Sequence, residues 1–199
     1  MGKTRSDFLA GVSLLIAAVI VLQTLSATFL KITGYSLALI FIPIIIAGIF
    51  YGIKGGTIVG AAFGLMIFLH SFLGWDPGGA LFFQHNWYLT FLITFGRGIA
   101  VGFLSALIYQ SLKKVTHKTI VTVIIVSVLA PLINTAIFAV LAYTLFYGLL
   151  ESWSIADNAS NVLLYLLGAI YINFALEVAT TVILCNPVVN ALKKVKQSI

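Results

Sequence analysis

The sequence predicts an all-α, polytopic membrane protein with six transmembrane helices and both termini in the cytoplasm. Three observations predict it: an apolar, charge-poor composition, six apolar segments of bilayer length, and basic residues confined to alternate connections. Of 199 residues, 61% are hydrophobic and 8% are charged. A soluble domain carries ~25% charged residues, so this chain lacks the charge to coat a water-facing surface. A soluble enzyme, a disordered chain and a disulfide-rich secreted module are excluded. The lone Cys185 leaves no intrachain disulfide and no Cys-based metal centre, and in its apolar run it reads as a small core residue. The formal charge of +6 does not indicate nucleic acid, because the cations sit in short clusters between apolar runs, where they face anionic lipid.

A spanning helix needs ~20 mostly apolar residues. The segments 8–30, 35–52, 56–74, 87–112, 118–147 and 160–192 meet that requirement. The first has the basic start of a leader but no small-x-small cleavage site, and reads as a retained span. The second and third are parted only by Tyr51-Gly52-Ile53-Lys54-Gly55-Gly56, where glycine permits a tight reversal. No strand-like alternation suggests a β-barrel. With six spans, Lys3, Arg5, Lys54, Lys113, Lys114, Lys118, Lys193, Lys194 and Lys196 share one side, while the other has only Lys31 with Asp76, Glu151 and Asp157. The positive-inside rule makes the basic side cytoplasmic. The chain reads as one membrane domain over 1–199.

The outer connection between the third and fourth spans runs from His70 to Trp87 and mixes turn formers with Trp, Phe and His. It is either an interfacial aromatic belt or, over 75–86, a lid that closes on a ligand. In the second case Trp75, Asn86 and Tyr88 are candidate substrate contacts. The polar stretch Glu151 to Asn161 is a second lid or a solvated link.

Ionisable groups inside a span are costly and therefore candidate functional sites. Arg97 lies about ten residues into the fourth span, ~15 Å down; Gly96 and Gly98 flank it and allow close backbone approach. Glu177 lies within the sixth span, with Asn173 one turn earlier on the same face. Asn134 follows Ala130 and Pro131 in the fifth. Two readings stay open. Arg97 and Glu177 form an ion pair, with Asn134 and Asn173 linking helices. Alternatively, these four residues line a pocket open to the outside, where the guanidinium receives a carboxylate.

In the first span Ala10, Ser13 and Ala17 form a small-residue stripe that serves internal packing or a partner membrane protein. Gly52, Gly55, Gly56, Gly60 and Gly64 form a packing face. No GxxxxGK[ST], no HExxH, no His/Cys cluster and no Ser–His–Asp set occurs, so no metal or cofactor of the chain's own is expected and ATP hydrolysis by a P-loop is excluded. No inverted repeat of the kind secondary carriers show is visible.

Six spans in about 200 residues, Tyr35 to Gly52 followed by Lys54-Gly55-Gly56 and Gly60, and Asn86 to Gly102 with Thr90, Phe91, Arg97 and Gly102 together resemble the substrate-binding S component of energy-coupling factor (ECF) vitamin transporters. Asn134-Thr135 with Phe138, and Asn173 with Glu177, match weaker family positions. The first span departs from the family's AxxxA pattern, Ser13-xxx-Ala17 being nearest. The resemblance implies a non-enzymatic subunit that binds a vitamin from outside and docks through its first helices on a transmembrane coupling subunit carrying two cytoplasmic ATPases. ATP would be used by those separate chains. The pantothenate type is the nearest likeness, and a carboxylate vitamin suits Arg97. Hydroxymethylpyrimidine, folate, cobalamin and riboflavin are alternatives, as is a stand-alone ion-coupled secondary carrier.

Overall fold

Seven helices and one short ladder make up the computed structural model, which describes residues 5–28, 31–32, 35–36, 39–116 and 118–198. Lys3 and His117 lie outside the described residues, as do the side chains of Lys31 and Lys196. The elements are α1 (Arg5–Thr28), the ladder β1 (Lys31–Ile32) with β2 (Tyr35–Ser36), α2 (Phe41–Leu73), α3 (Pro77–His85), α4 (Trp87–Val115), α5 (Thr119–Leu145), α6 (Tyr147–Ala156) and α7 (Val162–Ser198). Five of them, α1, α2, α4, α5 and α7, are long and apolar enough to cross a membrane.

The difference from the six predicted spans lies in α2. Gly52 has φ 70° and ψ −164°, a conformation essentially confined to glycine, so α2 is two limbs, 41–51 and 53–73. The limbs fold back on each other. A Cβ on Gly56 would stand 3.4 Å from the Cα of Gly48, whereas residues eight apart along one straight helix are ~12 Å apart. The reversal predicted at 51–56 is therefore present, but the 41–51 limb covers only about half of a ~30 Å hydrocarbon core at ~1.5 Å per residue. The predicted second span, 35–52, is not a full-length helix.

The 53–73 limb runs antiparallel to α4, and this is the largest helix interface. Glycines make the approach. Gly60 faces Gly98 and Gly102, Gly56 faces Gly102 and Ala106, and Gly64 faces Thr94 and Phe95. Backbones approach this closely in lipid only where side chains are absent. Helix α1 packs mainly on α2 through Phe8, Val12, Leu15, Ile16 and Val19, and α7 packs on α5.

The two ends of the bundle differ. At one end Phe8 meets Tyr51 edge-on at 5.8 Å, Gly52 adjoins Gln110, and Lys113 and Lys193 repel each other. Arg5, Lys54, Lys113, Lys114, Lys118, Lys193 and Lys194 lie at or near the helix ends there, whereas Lys31 of β1 follows the opposite end of α1. At the other end α3 and α6 cap a second apolar cluster of Phe82, Ile93, Ala142, Phe146, Leu150, Val162 and Leu166. The stretch 75–86, read as an outer loop, is mostly α3. Pro77 starts it, at the position where a missing N–H is harmless.

Candidate functional site

Between the main core and this capping cluster lies a cavity of about 480 Å³. Its inner wall comes from three long helices. On α4, Thr90, Thr94 and Arg97 fall at i, i+4 and i+7 and share one buried face. The two threonine hydroxyls donate to backbone carbonyls one turn back: Thr90 Oγ1 to Asn86 O at 2.9 Å and Thr94 Oγ1 to Thr90 O at 2.9 Å. On α5, Asn134 and Thr135 follow Pro131. On α7, Asn173 Nδ2 donates to Glu177 Oε1 at 2.8 Å across one helical turn.

The polar atoms here are under-satisfied. Arg97 is 9% exposed, Asn134 6% and Glu177 5%. Arg97 Nε, Asn134 Oδ1 and Glu177 Oε2 are buried without a hydrogen-bond partner. Among the described residues Arg97 makes no ion pair. Its guanidinium lies over the Phe138 ring at 4.9 Å, with Glu177 and Asp76 within electrostatic range. The Asn134 side chain adjoins the Glu177 carboxylate. The direct Arg97–Glu177 ion pair, one of the two sequence readings, is thus not formed. Buried polar groups in native structures are almost always partnered, and each orphan costs ~1–3 kcal/mol. One donor and two acceptors stand ready for a guest that offers both.

The outer wall is built by the turn after α2. Gly74, with φ 74°, ends that helix in a left-handed cap, its N–H directed at the carbonyls of His70 and Ser71. The His70 carbonyl also accepts from Trp75 N at 2.9 Å and Asp76 N at 3.3 Å. This holds Trp75 and Asp76 over the cavity, where Pro77, Gly78, Gly79 and Phe82 of α3 complete the roof.

Of the substrate contacts predicted from sequence, Arg97, Asn134, Asn173, Glu177 and Trp75 come together around the cavity. Asn86 and Tyr88 do not. Asn86 caps α4, its Oδ1 accepting from Leu89 N at 3.1 Å, and Tyr88 is 60% exposed beside Trp87. We expect Asn86→Ala to lower stability by ~0.5–2 kcal/mol, as loss of an N-cap does, and to leave ligand affinity unchanged. A thermal melt alongside a binding titration checks both. The sequence reading missed His70, Asp76, Phe82 and Phe146 as lining residues. Only the turn signal at Gly74 and Pro77 hints that Asp76 is brought back near His70.

The stripe Ala10, Ser13 and Ala17 is exposed on α1, on the face opposite Val12 and Val19. Of its two readings, internal packing is not what the described residues show.

A family model, described as ECF transporter, substrate-specific component, matches residues 7–189. The chain belongs to this family. This substrate-specific component is a multi-pass membrane protein that takes a small-molecule substrate and associates with ECF partner subunits. No curated protein and no solved structure matches the chain.

Proposed function

We propose that this substrate-specific component captures a carboxylate vitamin, pantothenate being the best fit, from the outer side of the membrane for import powered by separate ATPases. The observation that carries the reading is the buried Arg97, which makes no ion pair among the described residues, set beside the orphan acceptors Asn134 Oδ1 and Glu177 Oε2. A guanidinium fork matches a carboxylate. An amide N–H a few atoms away would then donate to Glu177 or Asn134. The substrate's hydroxyls remain for groups nearer the roof. Residues 75–86 would act as the lid over it.

The orientation follows from charge. Arg5, Lys54, Lys113, Lys114, Lys118, Lys193 and Lys194 lie toward one end of the bundle. The positive-inside rule puts that end, and with it both termini, in the cytoplasm. The layout then has six crossings, the short 41–51 limb serving as the second. The cavity opens toward the outside.

The transmembrane coupling subunit would dock on the exposed α1 face of Ala10, Ser13 and Ala17, since small residues let a partner helix approach closely. Ala17→Trp should cut co-purification with the coupling subunit and its two ATPases by about tenfold or more (~1.4 kcal/mol). Vitamin affinity of the lone chain should not change. Calorimetric titration with pantothenate tests the substrate. Tight binding supports it, and binding of hydroxymethylpyrimidine, folate, cobalamin or riboflavin in its place replaces it. Uptake by the lone chain that survives ATP depletion and stops with an uncoupler would make the protein an ion-coupled carrier instead.

A further inference from the structure

His70 has no role in the site as described so far. It is 1% exposed, it lines the cavity, and neither Nδ1 nor Nε2 has a hydrogen-bond partner. Its backbone carbonyl is fully used in the Gly74 cap, so the residue is held firmly while its ring nitrogens make no hydrogen bond, with Asp76 within electrostatic range. The ring leans on Trp75, centroids 5.3 Å apart. An imidazole buried with both nitrogens idle is as anomalous as the orphans around Arg97.

The two sets of orphans sit at different heights. The glycine seam pairs Gly60 with Gly98 and Gly64 with Thr94. Continued upward in the same register, it brings His70 level with Tyr88, two residues beyond Thr90, which lines the cavity. Tyr88 and Arg97 are nine residues apart on α4, ~13.5 Å along the axis. Phe63, Ile67, Ile93 and Phe138 line the cavity between them.

We propose that His70 is a second point of contact with the substrate, and that the substrate is elongated: a charged head at Arg97, an apolar middle, and a hydroxyl or amide roughly 10–14 Å away that hydrogen-bonds the His70 ring. The proposal rests on the capture reading above but not on pantothenate as such. Neutral imidazole offers one donor and one acceptor, which suits a hydroxyl. A compact, one-headed anion would leave His70 unpartnered.

The test uses the full chain in lipid nanodiscs. Melting temperatures are read with pantothenate, hydroxymethylpyrimidine, riboflavin, folate and cobalamin, and native mass spectrometry identifies any ligand retained from the cell. Titrations of the wild type, His70→Ala and His70→Gln then use the ligand that binds. Where that is pantothenate, N-propionyl-β-alanine is the analogue that keeps the carboxylate and lacks the hydroxyls. For any other ligand, the analogue lacks the group far from the charged head. The expected result is a loss of about 10- to 100-fold for His70→Ala (~1.4–2.7 kcal/mol), with recovery in His70→Gln. The analogue should bind the wild type and His70→Ala equally. Full affinity in His70→Ala, or an equal loss for ligand and analogue, overturns the His70 contact while leaving the capture reading intact. A compact, one-headed ligand also overturns it. No retained ligand and no vitamin that raises the melting temperature overturns both.

Discussion

Gly98→Ala is expected to lower the melting temperature by roughly 5–10 °C and to weaken ligand binding, while Gly96→Ala does neither. The two glycines flank the same arginine, yet their surroundings are opposite. A Cβ at Gly96 meets nothing within 4 Å. A Cβ at Gly98 collides with the carbonyl oxygen of Gly60 and stands 2.7 Å from Gly64 N and 2.8 Å from Gly64 Cα. Those atoms are backbone and have no rotamer to escape into. The 53–73 limb must move off α4 along the whole seam, because Gly102 is as tightly opposed by Gly56. Overpacking of this kind costs ~1–3 kcal/mol. Relief of a helical glycine at position 96 returns up to ~1 kcal/mol. Binding falls with stability because Thr94 and Arg97 are carried by the displaced stretch. Detergent melts of both variants decide the matter, and a Gly98→Ala protein as stable as wild type would mean that the two helices do not meet there.

That seam shows where sequence reasoning reached its limit. The long helices were legible because length and hydropathy are local properties: 87–112 is found as Trp87–Val115 and 118–147 as Thr119–Leu145. The reversal at Gly52 was legible from its neighbours. The glycine series 52–64 was recognised as a packing face, but nothing local says that Gly98 and Gly102 are its counterpart. Gly96 and Gly98 looked equivalent, and only the rotational setting of α4 separates them. The same limit applies to the site. Arg97, Asn134, Asn173 and Glu177 stand out because polar groups are costly in lipid wherever they point. Trp75 reaches the cavity through a cap that glycine announces. His70 near a helix end, by contrast, is unremarkable until the turn that follows folds back over it. Asn86 has a cap's sequence and a cap's role, and its nearness to Arg97 in the chain did not bring it to the cavity. The length of the 41–51 limb was also illegible, since apolar residues before it satisfied the hydropathy test.

Arg97→Ala is expected to weaken binding of the captured vitamin by a factor of about 100 or more without unfolding the protein. Loss of one partner in a buried, hydrogen-bonded charge pair costs ~2–5 kcal/mol, and each ~1.4 kcal/mol is tenfold. The fold should tolerate the change better than usual for a buried charge. Arg97 forms no ion pair among the described residues, so truncation breaks no salt bridge, and it removes a guanidinium whose Nε is already unmet. The ligand-free melting temperature should therefore stay close to that of the wild type. Arg97→Lys should not rescue binding, because an ammonium lacks the planar fork. Glu177→Gln separates the two halves of the site. It keeps an acceptor beside Asn173 and removes the negative charge near Arg97, so a carboxylate should bind the variant at least as tightly as the wild type, whereas a ligand held through a cationic or strongly donating head should bind it more weakly. Titration of Arg97→Ala, Arg97→Lys and Glu177→Gln with one ligand thus reports which charge the cavity reads. Unchanged affinity in Arg97→Ala would take the guanidinium out of the site altogether, and the capture of an anion with it.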